Sequence, residues 1–329
     1  IGGHGGSADD VATWARCSAG RVPREEALFG IGIGMALPTI RDHASVELQR
    51  RFVASGLRGD EIWCQLYSEP GAGSDLAALS TRAVRDGDEW VIDGQKVWTS
   101  GAQHSDLGIL LARTDPDAPA RQGITMLVLP MRQRGVEVRP LRQMTGEAEF
   151  IEVFMSGARA PIDWVIGQVN GGWAMALALL GHERVQTGVS SVGQLGTERT
   201  KSGRNPLPFS QLVELARDHD RVGEPAIRQE LARVYTGEVV IAALRARGVH
   251  PSIGKLWRTR QGRLAADLAA RRACPAGPAW TPDDVDADYW NHHILNCRAM
   301  SIGGGTDEIQ RTTLGERGLG LPREPSPAR

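Results

Sequence analysis

The feature that most constrains this chain is a series of short apolar, β-branched segments between Glu61 and Pro161, with turn residues but no helical stretch between them. Leu107-Gly108-Ile109-Leu110-Leu111 and residues 124–129, 136–138 and 150–154 have strand composition and strand length. Residues 83–85 and 90–92 flank Asp86-Gly87-Asp88, the pattern of a tight hairpin. A further strand is expected over residues 62–67. A parallel sheet needs a helix between successive strands, and no segment here supplies one. The expectation is an antiparallel sandwich or barrel.

Outside that region the apolar spacing becomes helical. Asp9 to Ala15 suggests a capped amphipathic turn, and residues 38–52 repeat apolar positions at helical spacing. After Gly171, an apolar run from Trp173 to Leu180 continues through His182-Glu183-Arg184-Val185. Residues 226–247 and 253–273 are further helix candidates, while the polar, Gly- and Pro-containing stretches 196–207 and 275–287 read as loops. The fold class is therefore α+β, in the order α, β, α. Residues 1–60 form a partial N-terminal helical domain, 61–163 a central antiparallel β-domain, and 164–329 a C-terminal helical bundle. With 329 residues and 41% hydrophobic content, several packed units can be filled.

Composition excludes several functions. The net charge is −1, from 38 basic and 39 acidic residues, so no nucleic-acid footprint is present. No apolar run is long enough to span a bilayer. Cys17, Cys64, Cys274 and Cys297 are too far apart for a CxxC zinc pair or a disulfide framework, which suggests reduced thiols in the cytoplasm and no metal site. The chain opens on Ile1-Gly2-Gly3 rather than Met, which reads as a chain without its N-terminal part.

Three strings can carry chemistry. In Ser68-Glu69-Pro70-Gly71-Ala72-Gly73-Ser74-Asp75, Gly71 and Gly73 let the backbone approach a ligand while Ser68 and Ser74 offer hydroxyls. In Gly94-Gln95-Lys96-Val97-Trp98-Thr99-Ser100-Gly101, a Trp beside hydroxyl residues can pack a ring system and bond its polar edge. In Ile302-Gly303-Gly304-Gly305-Thr306-Asp307-Glu308-Ile309, a glycine run meets a helix whose N-cap is Thr306, leaving N–H groups for an anion or a polarised carbonyl. Alone, these strings also fit an ordinary turn, a core Trp and a loop before a helix.

In this order and at these separations, the strings resemble the acyl-CoA dehydrogenase family, in its divergent bacterial branch acting on steroid side chains and other bulky acyl groups. Arg139-Pro140-Leu141-Arg142-Gln143-Met144-Thr145-Gly146-Glu147 adds to that resemblance. It implies FAD as cofactor, an acyl-CoA substrate, an electron-transfer flavoprotein as electron acceptor, and a dimer or tetramer. Leu66, Tyr67 and Ser68 would border the flavin ring, with Gly73 and Ser74 near its phosphates and the CoA. Trp98 would pack on the isoalloxazine, Ser100 would bond near its reactive nitrogen, and Thr306 and Glu308 would approach from the last helix. The N–H of Gly304, beside Gly305, would polarise the thioester carbonyl.

A general base must remove the α-proton from within a dry pocket. Many family members carry a Glu where this chain has Gly304. A subgroup resembling isovaleryl-CoA dehydrogenase keeps the base on the first helix after the β-domain, which makes Glu183 the candidate here. Arg184 beside it would hold substrate or lower the pKa of Glu183, and His182 is the nearest rival. The family's Gln-x-x-Gly-Gly-x-Gly string is replaced by Arg271-Arg272-Ala273-Cys274-Pro275-Ala276-Gly277, and Arg217 is a weak substitute for its Arg-x-x-Phe-Gly string. Either the homo-oligomer makes altered adenine contacts or a paralogous subunit supplies them. An acyl-CoA oxidase-like activity and a non-catalytic partner subunit are the alternative functions.

Overall fold

The computed structural model describes residues 28–193, 207–272 and 285–323, with a few isolated positions before residue 28; the side chains of 184–193, 245 and 285–288 are outside that description. The chain divides into two compact units, Ile1–Gly193 and Gln194–Arg329.

In the first unit a π-helical turn, Gly32–Ala36, runs into α1 (Leu37–His43) and α2 (Val46–Arg58). The single helix expected over 38–52 is broken at Ala44 and Ser45. Ser45 is extended, and its hydroxyl accepts from the Leu48 N–H at 3.3 Å, so it caps a new helix. An eight-stranded sheet follows: β1 (Trp63–Leu66), β2 (Arg82–Asp86), β3 (Glu89–Ser100), β4 (Leu107–Arg113), β5 (Ile124–Pro130), β6 (Val136–Leu141), β7 (Phe150–Pro161) and β8 (Val165–Ile166). The spatial order is β6-β7-β3-β2-β4-β5-β8, with β1 joined to β4. Helix α3 (Gly172–Gly193) closes the unit.

Most neighbours pair antiparallel, as the turn signals imply. The exceptions are β1, which lies parallel to β4, and a single parallel contact between Arg82 and Arg113. The β2–β3 hairpin lies between β1 and β4 in the chain and gives the parallel connection its length.

The apolar runs of β4 and β5 are buried on both faces. Ile109, Leu111, Met126 and Val128 join a core with α1, α2 and α3, while Leu110, Ala112, Leu127 and Leu129 face a second core with Ile92, Ile151 and Val153. Period-two alternation therefore sends alternate residues of one strand into two cores.

The second unit contains α4 (Phe209–Asp218), α5 (Pro225–Ala246), α6 (Pro251–Arg272), α7 (Val285–Asn296) and α8 (Asp307–Thr313). Leu212, Leu215, Ile227, Leu231, Val234, Leu268, Tyr289 and Trp290 form its core. Helices α5 and α6 match the expected segments. Helix α4 was not anticipated, although Leu212, Leu215 and Ala216 bury one face at helical spacing. Helix α7 begins within the expected 275–287 loop; the rest of that loop, most of the 196–207 loop and residues 11, 12 and 15 of the expected turn near Asp9 lie outside the described residues, while Asp9, Asp10, Thr13 and Trp14 are helical. Among the described residues, no helix is long and apolar enough to cross a membrane, and no group of three or more His, Cys, Asp or Glu could hold a metal.

Candidate functional site

In the first unit the structure brings the first two strings together. Strand β1 delivers Tyr67 and Ser68 beside β3, where the Val97 N–H donates to the Ser68 carbonyl at 2.9 Å. Glu69 and Ala72 exchange backbone hydrogen bonds of 3.1 and 3.0 Å, which closes the Pro-Gly turn. A Cβ added at Gly71 or Gly73 would meet nothing within 4 Å. Protein packing therefore does not require glycine there, and the open backbone is suited to a ligand.

A buried ion pair locks this arrangement. Lys96 Nζ donates to Glu69 Oε1 at 2.8 Å and to the Tyr67 carbonyl at 3.0 Å, and the two side chains are 0% and 5% exposed. Glu69 also accepts from the Ser80 N–H and hydroxyl, both at 2.7 Å, and from the Thr81 N–H at 2.9 Å. Burial pushes the Glu69 carboxyl up, but the Lys96 charge and these donors outweigh it and hold it at about 2. Burial pulls Lys96 down to about 8 against the attraction of Glu69. Sequence reasoning missed this pair, yet a signal existed: Lys96 is in phase with Trp90 and Ile92, the inward positions of β3.

Immediately after Lys96, β3 bulges. Lys96 pairs with Val153 and Thr99 with Ile151, so three steps on β3 oppose two on β7. Trp98 sits in the bulge at φ 63°, a left-handed conformation rare for a bulky residue. Its ring meets Phe150 edge to face, with centroids 5.7 Å apart, and is 57% exposed. Backbone strain held where an aromatic ring is left open to solvent is the pattern of a ligand platform. Ser100 is half-buried opposite Phe150, while Gly73 and Ser74 are exposed.

Glu183 reaches this unit's core side through the docking of α3. Asn170, at φ 65°, donates its N–H to Thr125 Oγ1 at 2.8 Å, and its side-chain oxygen accepts from Thr114 Oγ1 at 2.6 Å. Gly172 follows, where a Cβ would come within 2.7 Å of the Thr125 backbone, so α3 starts directly against β5. Ala176 and Leu179 then face the core that includes Tyr67. Glu183 lies four residues beyond Leu179, on the same helical face, and is half-buried. Tyr67 is 4% exposed, and among the described residues its hydroxyl has no hydrogen-bond partner. Burial, and then the charge of Glu183, push its phenol well above the usual range. His182 points elsewhere, with Nε2 3.5 Å from Asp42. The Arg184 side chain lies outside the described residues.

The second unit carries the third string. Gly304 and Gly305 adopt φ of 65° and 80°, and neither N–H donates to a main-chain acceptor among the described residues. The Gly304 carbonyl accepts from Gln310 Nε2 at 2.7 Å, and Gln310 is held in turn by Ser252 at 2.6 Å. Thr306 caps α8 through the Ile309 N–H at 3.3 Å. Asp307 pairs with Lys255 at 2.7 Å, nearly buried, and Glu308 is exposed. Beside them opens a cleft of about 340 Å³ lined by Arg263, Arg298, Arg311, Ser301, Thr306 and Glu308, with a cationic side suited to an anion. Of the residues replacing the expected adenine string, Arg271 lies 3.5 Å from Glu230; 273–277 are outside the described residues.

Comparison with known proteins agrees with this architecture. Residues 64–156 match the acyl-CoA dehydrogenase middle domain and residues 170–319 the acyl-CoA dehydrogenase C-terminal domain. The acyl-CoA dehydrogenase IpdE1 of Mycobacterium tuberculosis is 41% identical over 300 residues, which cover 87% of this chain and 74% of that protein. A structure described as the Tcur3481-Tcur3483 steroid ACAD superposes with a TM-score of 0.76 at 29% identity, over 90% of this chain and 77% of that one. The ChsE4-ChsE5 complex from Mycobacterium tuberculosis gives 0.79 at 28% identity, over 98% and 85%. The chain belongs to the acyl-CoA dehydrogenase family.

Proposed function

We propose that this chain binds FAD and introduces a double bond between the α and β carbons of an acyl-CoA thioester, with Glu183 as the general base. The observation that carries the reading is a carboxylate on the core-facing side of α3, close enough to Tyr67 to shift its phenol. Members of this family use FAD. The residues present suit that group: backbone open to approach at Gly71 and Gly73, the exposed Trp98 ring, and the hydroxyls of Ser68 and Ser100. When bound, FAD supplies the two-electron acceptor that the reaction needs.

The protein residues supply the rest. Leu66, Tyr67, Ser68, Gly73, Ser74, Trp98, Ser100, Thr306 and Glu308 would hold the cofactor, and Ser74 and Arg184 would bind the substrate. The Gly304 N–H, beside Gly305, would donate to the thioester oxygen and so acidify the α-carbon, as in an oxyanion hole. Glu183 takes the α-proton.

The steroid dehydrogenase among the similar structures supports a bulky acyl group as substrate, and we assign an electron-transfer flavoprotein as the acceptor. Anaerobic titration of the FAD-loaded protein with straight-chain, branched and steroid CoA thioesters tests the reading. Bleaching of the flavin band by the bulky thioesters supports it; no bleaching by any of them contradicts it. A second reading, a non-catalytic subunit of a hetero-oligomer, is favoured by the two-component name of the ChsE4-ChsE5 complex. It predicts a protein that stays colourless with FAD and candidate partners. Peroxide formation in place of dye reduction would mark an oxidase-like activity.

A further inference from the structure

The loop that leaves β1 buries Ala72, Ala77 and Leu79 and exposes Gly71, Gly73 and Ser74. Among the described residues, the N–H groups of those last three donate to no main-chain acceptor. The loop makes few backbone bonds of its own. After the Glu69–Ala72 exchange, the Ala78 N–H donates to the Asp75 carbonyl at 3.1 Å and the Leu79 N–H to the Leu76 carbonyl at 3.2 Å. Those short turns do not fix its shape against the entropy of ten exposed or half-exposed steps of chain, flagged here only as about 1–2 kcal/mol per ordered residue.

Two side chains of opposite charge supply the missing hold. Arg113, half-buried at the end of β4, donates from Nη2 to the Ala77 carbonyl at 2.7 Å and to the Leu79 carbonyl at 3.2 Å, and from Nη1 to the Ala120 carbonyl at 2.8 Å. Among the described residues, every side-chain hydrogen bond of Arg113 runs to a carbonyl and none to a carboxylate. The planar fork suits this use, because one group reaches several fixed acceptors at once. Glu69 takes the complementary groups that come next in the chain, the N–H groups of Ser80 and Thr81. The Arg113 N–H then donates to the Thr81 carbonyl at 2.7 Å. Carbonyls 77 and 79 are thus held by a cation, N–H groups 80 and 81 by an anion, and both ends of the loop meet at Glu69.

We infer that Arg113 is a positioning residue: with Glu69 it clamps the 70–81 loop, so that Gly71, Gly73 and Ser74 meet the cofactor in a shape fixed beforehand. The inference rests on the reading that this loop holds FAD and adds to it what fixes the loop. Neither charged group is required to touch the cofactor; their contribution is to remove the ordering cost from binding.

The test compares the full chain with Arg113→Gln, which removes the fork, and Arg113→Lys, which keeps the charge but not the several donors. Amide exchange is followed in the ligand-free protein, and the FAD dissociation constant is measured by equilibrium dialysis. In Arg113→Gln, amides of residues 71–79 should exchange about tenfold faster, while those of α2 keep their wild-type rates, which a general loss of stability would not allow. FAD should bind about ten- to a hundredfold more weakly, the size of one or two hydrogen bonds to a charged group. Arg113→Lys should fall between the two proteins in both readouts, and it carries the test if Arg113→Gln does not fold. Unchanged loop exchange overturns the inference, whatever happens to FAD. Faster loop exchange with unchanged FAD affinity also overturns it, because the clamp then does not serve the cofactor. A wild-type protein that binds no FAD overturns the reading of the cofactor site itself, and with it the role given to Arg113.

Discussion

Trp98 and Lys96 are two residues apart and play opposite parts: one is exposed and strained, the other fully buried and ion-paired. The pair Lys96–Glu69 fixes the loop leaving β1 against β3, and the bulge then presents the Trp98 ring. Removing one partner leaves the other buried without compensation, so Lys96→Met should destabilise the protein by about 3–5 kcal/mol in urea unfolding, and Lys96→Met with Glu69→Leu should recover much of that loss. The folded pKa of Glu69, about 2, lies below its ordinary 4.5. Its contribution is therefore fully present above pH 4.5 and is lost as pH falls toward 2; the urea midpoint of the doubly replaced protein should fall less over that window. Trp98→Ala should weaken flavin retention by up to about tenfold in equilibrium dialysis, the size of one aromatic contact, with little change in the urea midpoint because the ring is mostly exposed.

At the scale of elements, periodicity made most of the fold legible. The apolar runs of β4 and β5 reported strands buried on both faces, and the Asp86-Gly87-Asp88 turn reported the β2–β3 hairpin. Pairing partners were less legible: β1 lies parallel to β4 because contacts distant in sequence decide the matter, and local composition does not record them. The break between α1 and α2 was visible only as a serine, which also occurs inside helices. Caps give the clearest element-scale test. Thr306 caps α8 directly after the glycine run, so Thr306→Ala should cost about 1 kcal/mol and speed amide exchange in the first turn of α8.

At the scale of the whole molecule, the candidate residues are divided between the two compact units: Tyr67, Ser68, Trp98 and Glu183 belong to the first, Gly304, Gly305 and Thr306 to the second. The strings that mark those residues were legible because each is contiguous. The interactions supporting them were not, since Lys255 and Asp307 are 52 residues apart and Ser252 and Gln310 are 58 apart. Glu183 was legible only through the family resemblance; what the fold adds is the close docking at Gly172 that turns its helical face toward Tyr67.

The central claim concerns that carboxylate, and rapid-mixing flavin reduction with an acyl-CoA that bleaches the wild-type protein tests it most directly. Glu183→Gln should retain its yellow flavin and reduce it about 10²–10⁴ times more slowly. A variant that keeps its flavin and reduces it at close to the wild-type rate would contradict the account.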